Sequence, residues 1–168
     1  MSDAGVLQVR LQLADAGFGV PDDANWTTWV GAALSVGDRP LAGIVTVRLV
    51  SEDESAGLNL SYRNKSGATN VLAFPGPGDE LAMPDVEPEL GDLVICLSLA
   101  CREAEEQGKR PVDHLAHLVV HGTLHLIGYD HEQETDARRM ESIEVRVLGG
   151  LGLANPYADS EQMIDSRL

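Results

Sequence analysis

Residues 121–131 read HGTLHLIGYDH. On an α-helix a step of four residues turns about 400°, so His121 and His125 share one face, one turn apart. Their imidazoles can converge on a single ion. Gly128 has no Cβ, so it can take the left-handed conformation that ends a helix. The chain then folds back, and His131 can deliver a third nitrogen to the same point. Three nitrogens around a tetrahedral ion leave one position open, the arrangement of a catalytic zinc rather than a structural one. A single histidine on an apolar helix face is ordinarily a hydrogen-bonded core residue. Three of them, with a glycine where the turn is needed, point to one Zn2+ ion held by His121, His125 and His131.

Two more histidines lie upstream on the same stretch, His114 and His117. A row of His117, His121 and His125 on three successive turns spans about 12 Å, too far for the outer two to reach one ion at about 2 Å. His131 is therefore the better third ligand, and His117 is expected beside the ligands or in packing. His114 is expected on the solvent side near the helix start. Asp130 has two readings: it accepts the second N–H of a ligand imidazole, or it caps the next helix. Tyr129 is expected to pack.

The spacing H-x-x-x-H-x-x-G-x-x-H is that of the metzincin zinc peptidases. There the residue after the first histidine is the Glu that activates water. Here it is Gly122, so the general base of a peptidase is missing and peptide hydrolysis becomes the lesser alternative.

Around this helix the pattern reads as α+β. Residues 6–12 alternate as a strand, 24–36 form a helix capped by Asp22 or Asp23, and 42–50 are a β-branched strand. Ser51 and Glu54 fit a capping box at the start of a helix running to Tyr62 or Arg63. Residues 69–74 form a short strand stopped by Pro75. Residues 75–90, rich in proline and acid, form a loop. Residues 91–98 are a continuous apolar run, hence a strand buried on both faces. A helix over 100–109 ends at Gly108, and Pro111 opens the histidine-bearing helix. A last helix covers about 132–148, closed by Gly149 and Gly150. The expected fold is a single domain over 1–168: a small mixed sheet of about four strands with five or six helices, and a frayed tail from 157. Leu115, Leu118, Val119, Leu124 and Leu126 should set the metal helix on the sheet.

The chain has 12 Lys plus Arg against 27 Asp plus Glu, a net charge of −15. Such acidity opposes general affinity for nucleic acid or membranes but allows a local basic patch. No charged start followed by a long apolar core marks a secretory signal, and no apolar run reaches the length of a membrane span. Cys96 and Cys101 read as reduced thiols of a cytoplasmic protein. Arg63 and Lys65 form one of the few local excesses of positive charge. An arginine fork suits phosphate oxygens, while an exposed helix end equally favours a cation.

HGTLHLIGYDH, preceded by AHL at 116–118, closely resembles the signature of the YbeY family of bacterial rRNA-maturation endoribonucleases. LNLSYRNKSGATNVLAFP (58–75), GDLVIC (91–96) and MESIEVRVLGGLGLANPY near the end resemble further family blocks, so the likeness spans about residues 40–157. The resemblance implies a zinc-dependent, single-strand-specific endoribonuclease. It would act with the ribosome in small-subunit rRNA 3′-end processing and ribosome quality control, with rRNA and the small subunit or its proteins as partners. His121, His125 and His131 match the family's zinc ligands, and Arg63 its functional arginine. Two positions depart: Asn70 where the family usually has Asp, and Ala73 where Ser is common. A non-catalytic ribosome-assembly factor with structural zinc is the remaining alternative.

Overall fold

The structure, a computed structural model, describes residues 6–14, 19–37, 41–77, 86–129 and 134–157. The elements are β1 (Leu7–Leu13), α1 (Trp26–Leu34), β2 (Gly43–Val50), α2 (Glu52–Arg63), β3 (Val71–Pro75), β4 (Glu89–Cys96), α3 (Leu97–Glu106), α4 (Pro111–Leu126) and α5 (Glu134–Gly150). The fold is α+β, with one mixed sheet in the order β1-β2-β4-β3. β1, β2 and β4 run parallel, and β3 pairs antiparallel with β4 at the edge.

The two central strands are apolar runs because both their faces are covered. Leu93 and Ile95 of β4 join the main core with Trp29, Leu97, Leu115 and Val119. Val94, between them, points the other way and packs with Val50, Leu72 and Leu58. Alternation along the strand thus places α4 on one face of the sheet and α2 on the other. Helix α4 is itself buried on two sides. Leu115, Leu118, Val119 and Leu126 meet the sheet-side core. Leu124, expected there too, instead packs with Val120, Met140, Ile143, Val147 and Leu148, because α5 covers the far side of α4. Burying side chains such as Leu115 and Val119 stabilises the fold by about 1.5–3 kcal/mol each before entropy is counted.

Several boundaries differ from expectation for local reasons. Asn25, not Asp22 or Asp23, caps α1, its Oδ1 accepting from the Thr28 N–H at 3.2 Å. Asp23 lies two residues earlier and pairs with Arg110 at 2.9 Å. Ser51 does cap α2 by accepting from Glu54 N–H at 3.1 Å. The Glu54 carboxylate turns away to Arg48 on β2 at 2.8 Å, so only half of the capping box forms. β4 begins two residues early, at Glu89, which pairs with Ile44, and Leu97 and Ser98 already belong to α3. α5 runs through Gly149 and Gly150 and ends when Leu153 N–H reaches back to Leu148 O at 2.9 Å. Of the acidic loop, residues 78–85 lie outside the described residues, as do 158–168 of the expected tail. Cys96 and Cys101 are both free thiols. Among the described residues no helix is long and apolar enough to cross a membrane.

Candidate active site

Helix α4 opens with Pro111 at its first turn, where the missing N–H costs nothing. It closes as the sequence requires. Gly128 has φ 104°; its N–H meets His125 O at 3.1 Å, and Tyr129 N–H meets Leu124 O at 3.0 Å. These two bonds are the Schellman pattern, which satisfies the last carbonyls and turns the chain sharply.

On this helix His121 and His125 converge. Their Nε2 atoms stand 3.2 Å apart. Two nitrogens each bound to one tetrahedral zinc at about 2.0–2.1 Å are about 3.3 Å apart, so the pair is spaced for a shared cation. A hydrogen bond between the rings meets the same distance when His125 carries its proton on Nε2. Among the described residues no third His, Cys, Asp or Glu completes a metal-holding group. His131 and Asp130 lie outside the described residues.

The far side of His121 is fixed by a residue that the sequence reading missed. Glu144 of α5 is fully buried and accepts hydrogen bonds from His121 Nδ1, from His117 Nε2 at 3.1 Å and from the Tyr157 hydroxyl. Burial alone would raise the Glu144 pKa, but these donors overcome it and hold the carboxylate at about 2. An ionised carboxylate only accepts. His121 must therefore carry a proton on Nδ1, and the neutral ring then turns its Nε2 lone pair toward His125. This carboxylate–histidine arrangement is how metal-binding imidazoles are usually oriented. His117 likewise donates through Nε2, and its buried Nδ1 finds no partner among the described residues. His117 thus stands beside the pair.

The sequence did carry a signal for Glu144. Met140, Ile143, Val147 and Leu148 form the buried stripe of α5, and Glu144 occupies a position within it. An acid on an apolar stripe needs a partner. Tyr157 carried no such signal. It was assigned to the frayed tail, yet it is half-buried with its hydroxyl on Glu144 and its ring 5.5 Å from that of His117. Burial and the Glu144 charge raise its pKa.

His114 also departs from expectation. It is 3% exposed, not on the solvent side. Its Nε2 lies 3.0 Å from Glu103 Oε1, and Asn70 Nδ2 donates to the same oxygen at 3.0 Å. This cluster ties the start of β3, α3 and α4 together. Arg63 ends α2, on the sheet face opposite α4. It is exposed, and among the described residues it forms no ion pair.

Gly122, where a metzincin carries its catalytic Glu, faces the sheet rather than the imidazoles. A Cβ there would stand 2.8 Å from Leu93 Cδ2 and 3.3 Å from Val71 Cγ2. A side chain at this position would have to displace Leu93 and would point at the sheet, so the peptidase base is missing by identity and by direction.

A profile of the endoribonuclease YbeY family matches residues 22–152. A protein of Nitrosococcus oceani named Endoribonuclease YbeY is 49% identical over 151 residues, covering 90% of this chain and 97% of its own length. Another of that name from Alkalilimnicola ehrlichii is 46% identical over 166 residues, covering 96% of this chain and 98% of its own. The solution structure of TM1509 from Thermotoga maritima is similar at 28% identity and a TM-score of 0.48, covering 85% of this chain and 91% of that one. The chain belongs to the endoribonuclease YbeY family, and its activity class is that of an endoribonuclease.

Proposed function

We propose that this chain is a zinc-dependent, single-strand-specific endoribonuclease of the cytoplasm that acts on ribosomal RNA, in small-subunit 3′-end maturation and ribosome quality control. Residues 1–168 work as one catalytic domain. The observation that carries the reading is the Nε2 pair of His121 and His125, 3.2 Å apart, with the rear of His121 held by Glu144. Family membership supplies the RNA.

His121, His125 and His131 would hold the ion. A cation bound there supplies Lewis acidity to a phosphoryl oxygen or to water. The chain's own residues do the rest. Glu144 accepts from His121 Nδ1 and so turns the Nε2 side of the ring toward the cation. Arg63 offers a planar fork to phosphate oxygens and stabilises charge as it builds on them. RNA brings a 2′-hydroxyl as its own nucleophile, so the empty Gly122 position is less damaging than it is for peptide cleavage. The net charge of −15 suits docking on basic ribosomal proteins, which would deliver the RNA.

The test is cleavage of single- and double-stranded RNA by metal-loaded protein, with and without a chelator, beside His125→Ala and Arg63→Ala. Single-stranded RNA should be cut, chelation should stop it, and zinc should restore it. His125→Ala should keep its circular dichroism and lose turnover. Cleavage that persists after complete metal removal overturns the proposal. Ribosome binding with no turnover would favour the assembly-factor alternative.

A further inference from the structure

The corner where α2 meets β3 combines three properties found together nowhere else among the described residues. The first is charge. Residues 55–78 contain no Asp or Glu, although the chain has 27 acids, and this is its longest acid-free stretch. Arg63 and Lys65 lie inside it and are exposed. The second is an uncovered aromatic. Tyr62 is 67% exposed, the most exposed aromatic ring described. It sits edge-to-face on Phe74 of β3, ring centroids 5.1 Å apart at 74°. The third is rigidity. Asn64 takes a left-handed conformation (φ 55°), and Lys65 N–H returns to Asn59 O at 3.3 Å. Buried Asn59 donates to Gly67 O at 2.9 Å, and Ser55 Oγ bonds both the N–H and the carbonyl of Thr69. The ring and both cations therefore project from a pinned turn.

Across edge strand β3, the other face of the sheet carries the histidine helix. Val71, at the start of β3, packs on Gly122, the neighbour of His121. A Cβ on Gly91 would stand 2.6 Å from both Leu126 Cδ2 and Phe74 O. The last turn of α4, which carries His125, thus lies against the stretch of β3 that bears Phe74. The Phe74 ring projects from β3 to the α2 face together with Leu72, so a strand stacked on Tyr62 passes round the β3 edge of the sheet to reach His125. Among the described residues an acid stands close, Asp92 on β4, which pairs with Phe74. It repels phosphates there and leaves Arg63 and Lys65 as the sites for them.

We propose that Tyr62, backed by Phe74, is the stacking seat for one unpaired base of the RNA next to the phosphate that Arg63 holds, with Lys65 on the flanking phosphate. Single-strand binding sites pair aromatic faces with a cationic track in this way, and a base can reach such a face only when unpaired. The seat therefore also selects single strands. This rests on the endoribonuclease reading above and names a substrate contact within it.

The experiment measures KM and kcat for a short oligoadenylate cleaved by the metal-loaded protein, in wild type and in Tyr62→Ala, Tyr62→Leu and Tyr62→Phe. A second set of substrates carries one abasic nucleotide, moved position by position. Tyr62→Ala and Tyr62→Leu should raise KM about five- to hundred-fold and leave kcat and metal content near wild type. Tyr62→Phe should restore KM. One abasic position should raise the wild-type KM equally and cost Tyr62→Ala nothing further. An unmoved KM in Tyr62→Ala, with wild type cleaving normally, overturns the stacking seat alone, and so does a full abasic penalty in that variant. A wild type that cuts no RNA overturns the endoribonuclease reading, and the seat falls with it.

Discussion

The Glu144 carboxylate receives the Nδ1–H of His121, twenty-three residues away in sequence (|i−j| = 23). It sits wholly inside the protein with His117 and Tyr157 on its other oxygen. This one acid sets the tautomer of the histidine through which α4 would meet a cation.

Glu144→Gln should weaken zinc binding by about 10–100-fold, the usual cost of losing such an outer partner. A glutamine amide presents an N–H to rings that are already donors. Chelator competition reads the affinity, and ¹⁵N shifts of the His121 ring read the tautomer in the metal-free protein. An affinity equal to wild type would show that Glu144 serves packing only.

Gly122→Ala should destabilise the fold by about 1–3 kcal/mol, the cost of overpacking a filled core. The added methyl would press on Leu93 Cδ2 at 2.8 Å. Urea denaturation measures it. Gly122→Glu, which recreates the metzincin pattern in sequence, should fold poorly and cleave no peptide.

Stability should depend on pH through His114. Burial lowers its pKa below the ordinary 6.5, and the partly opposing Glu103 carboxylate does not restore it; His117 and Lys109 push the same way as burial. The unfolded chain therefore takes up this proton at a higher pH than the folded chain does. The contribution is intact above about pH 6.5 and is lost as the pH falls through that value, until the folded ring is protonated too. Melting temperatures from pH 8 to pH 5 should fall along this curve, and His114→Gln should flatten it.

Asn70→Asp should destabilise this chain by about 1.5–3 kcal/mol at neutral pH, the scale of a hydrogen bond to a charged group. Asn70 Nδ2 donates to Glu103 at 3.0 Å, so an Asp would replace a donor with a like charge. Acidification toward the carboxylate range should recover part of the loss. Chemical denaturation at two pH values checks both statements.

Much of the fold is legible because local rules and tertiary packing agree. Gly128 is needed at the turn and is there with φ 104°. Ser51 caps α2 as its side chain suggests. The apolar run of β4 is buried on both faces. Disagreement arises where a distant partner decides. His114 looked like a surface residue because helix position says nothing of Glu103 on another helix. Leu124 was placed on the sheet because periodicity marks an apolar face without telling whether it meets a strand or α5.

By itself the sequence determined the α+β class, the helix that presents His121 and His125, the turn after it, and the absence of a peptidase base at Gly122. These follow from residue types at fixed short spacings, where backbone geometry leaves little choice. Only the tertiary structure decided that Glu144 and Tyr157 close behind the histidines, that Gly122 is pressed against Leu93, and that Tyr62 stands against Phe74. Those relations join elements far apart in the chain, and no local periodicity encodes which buried faces will meet.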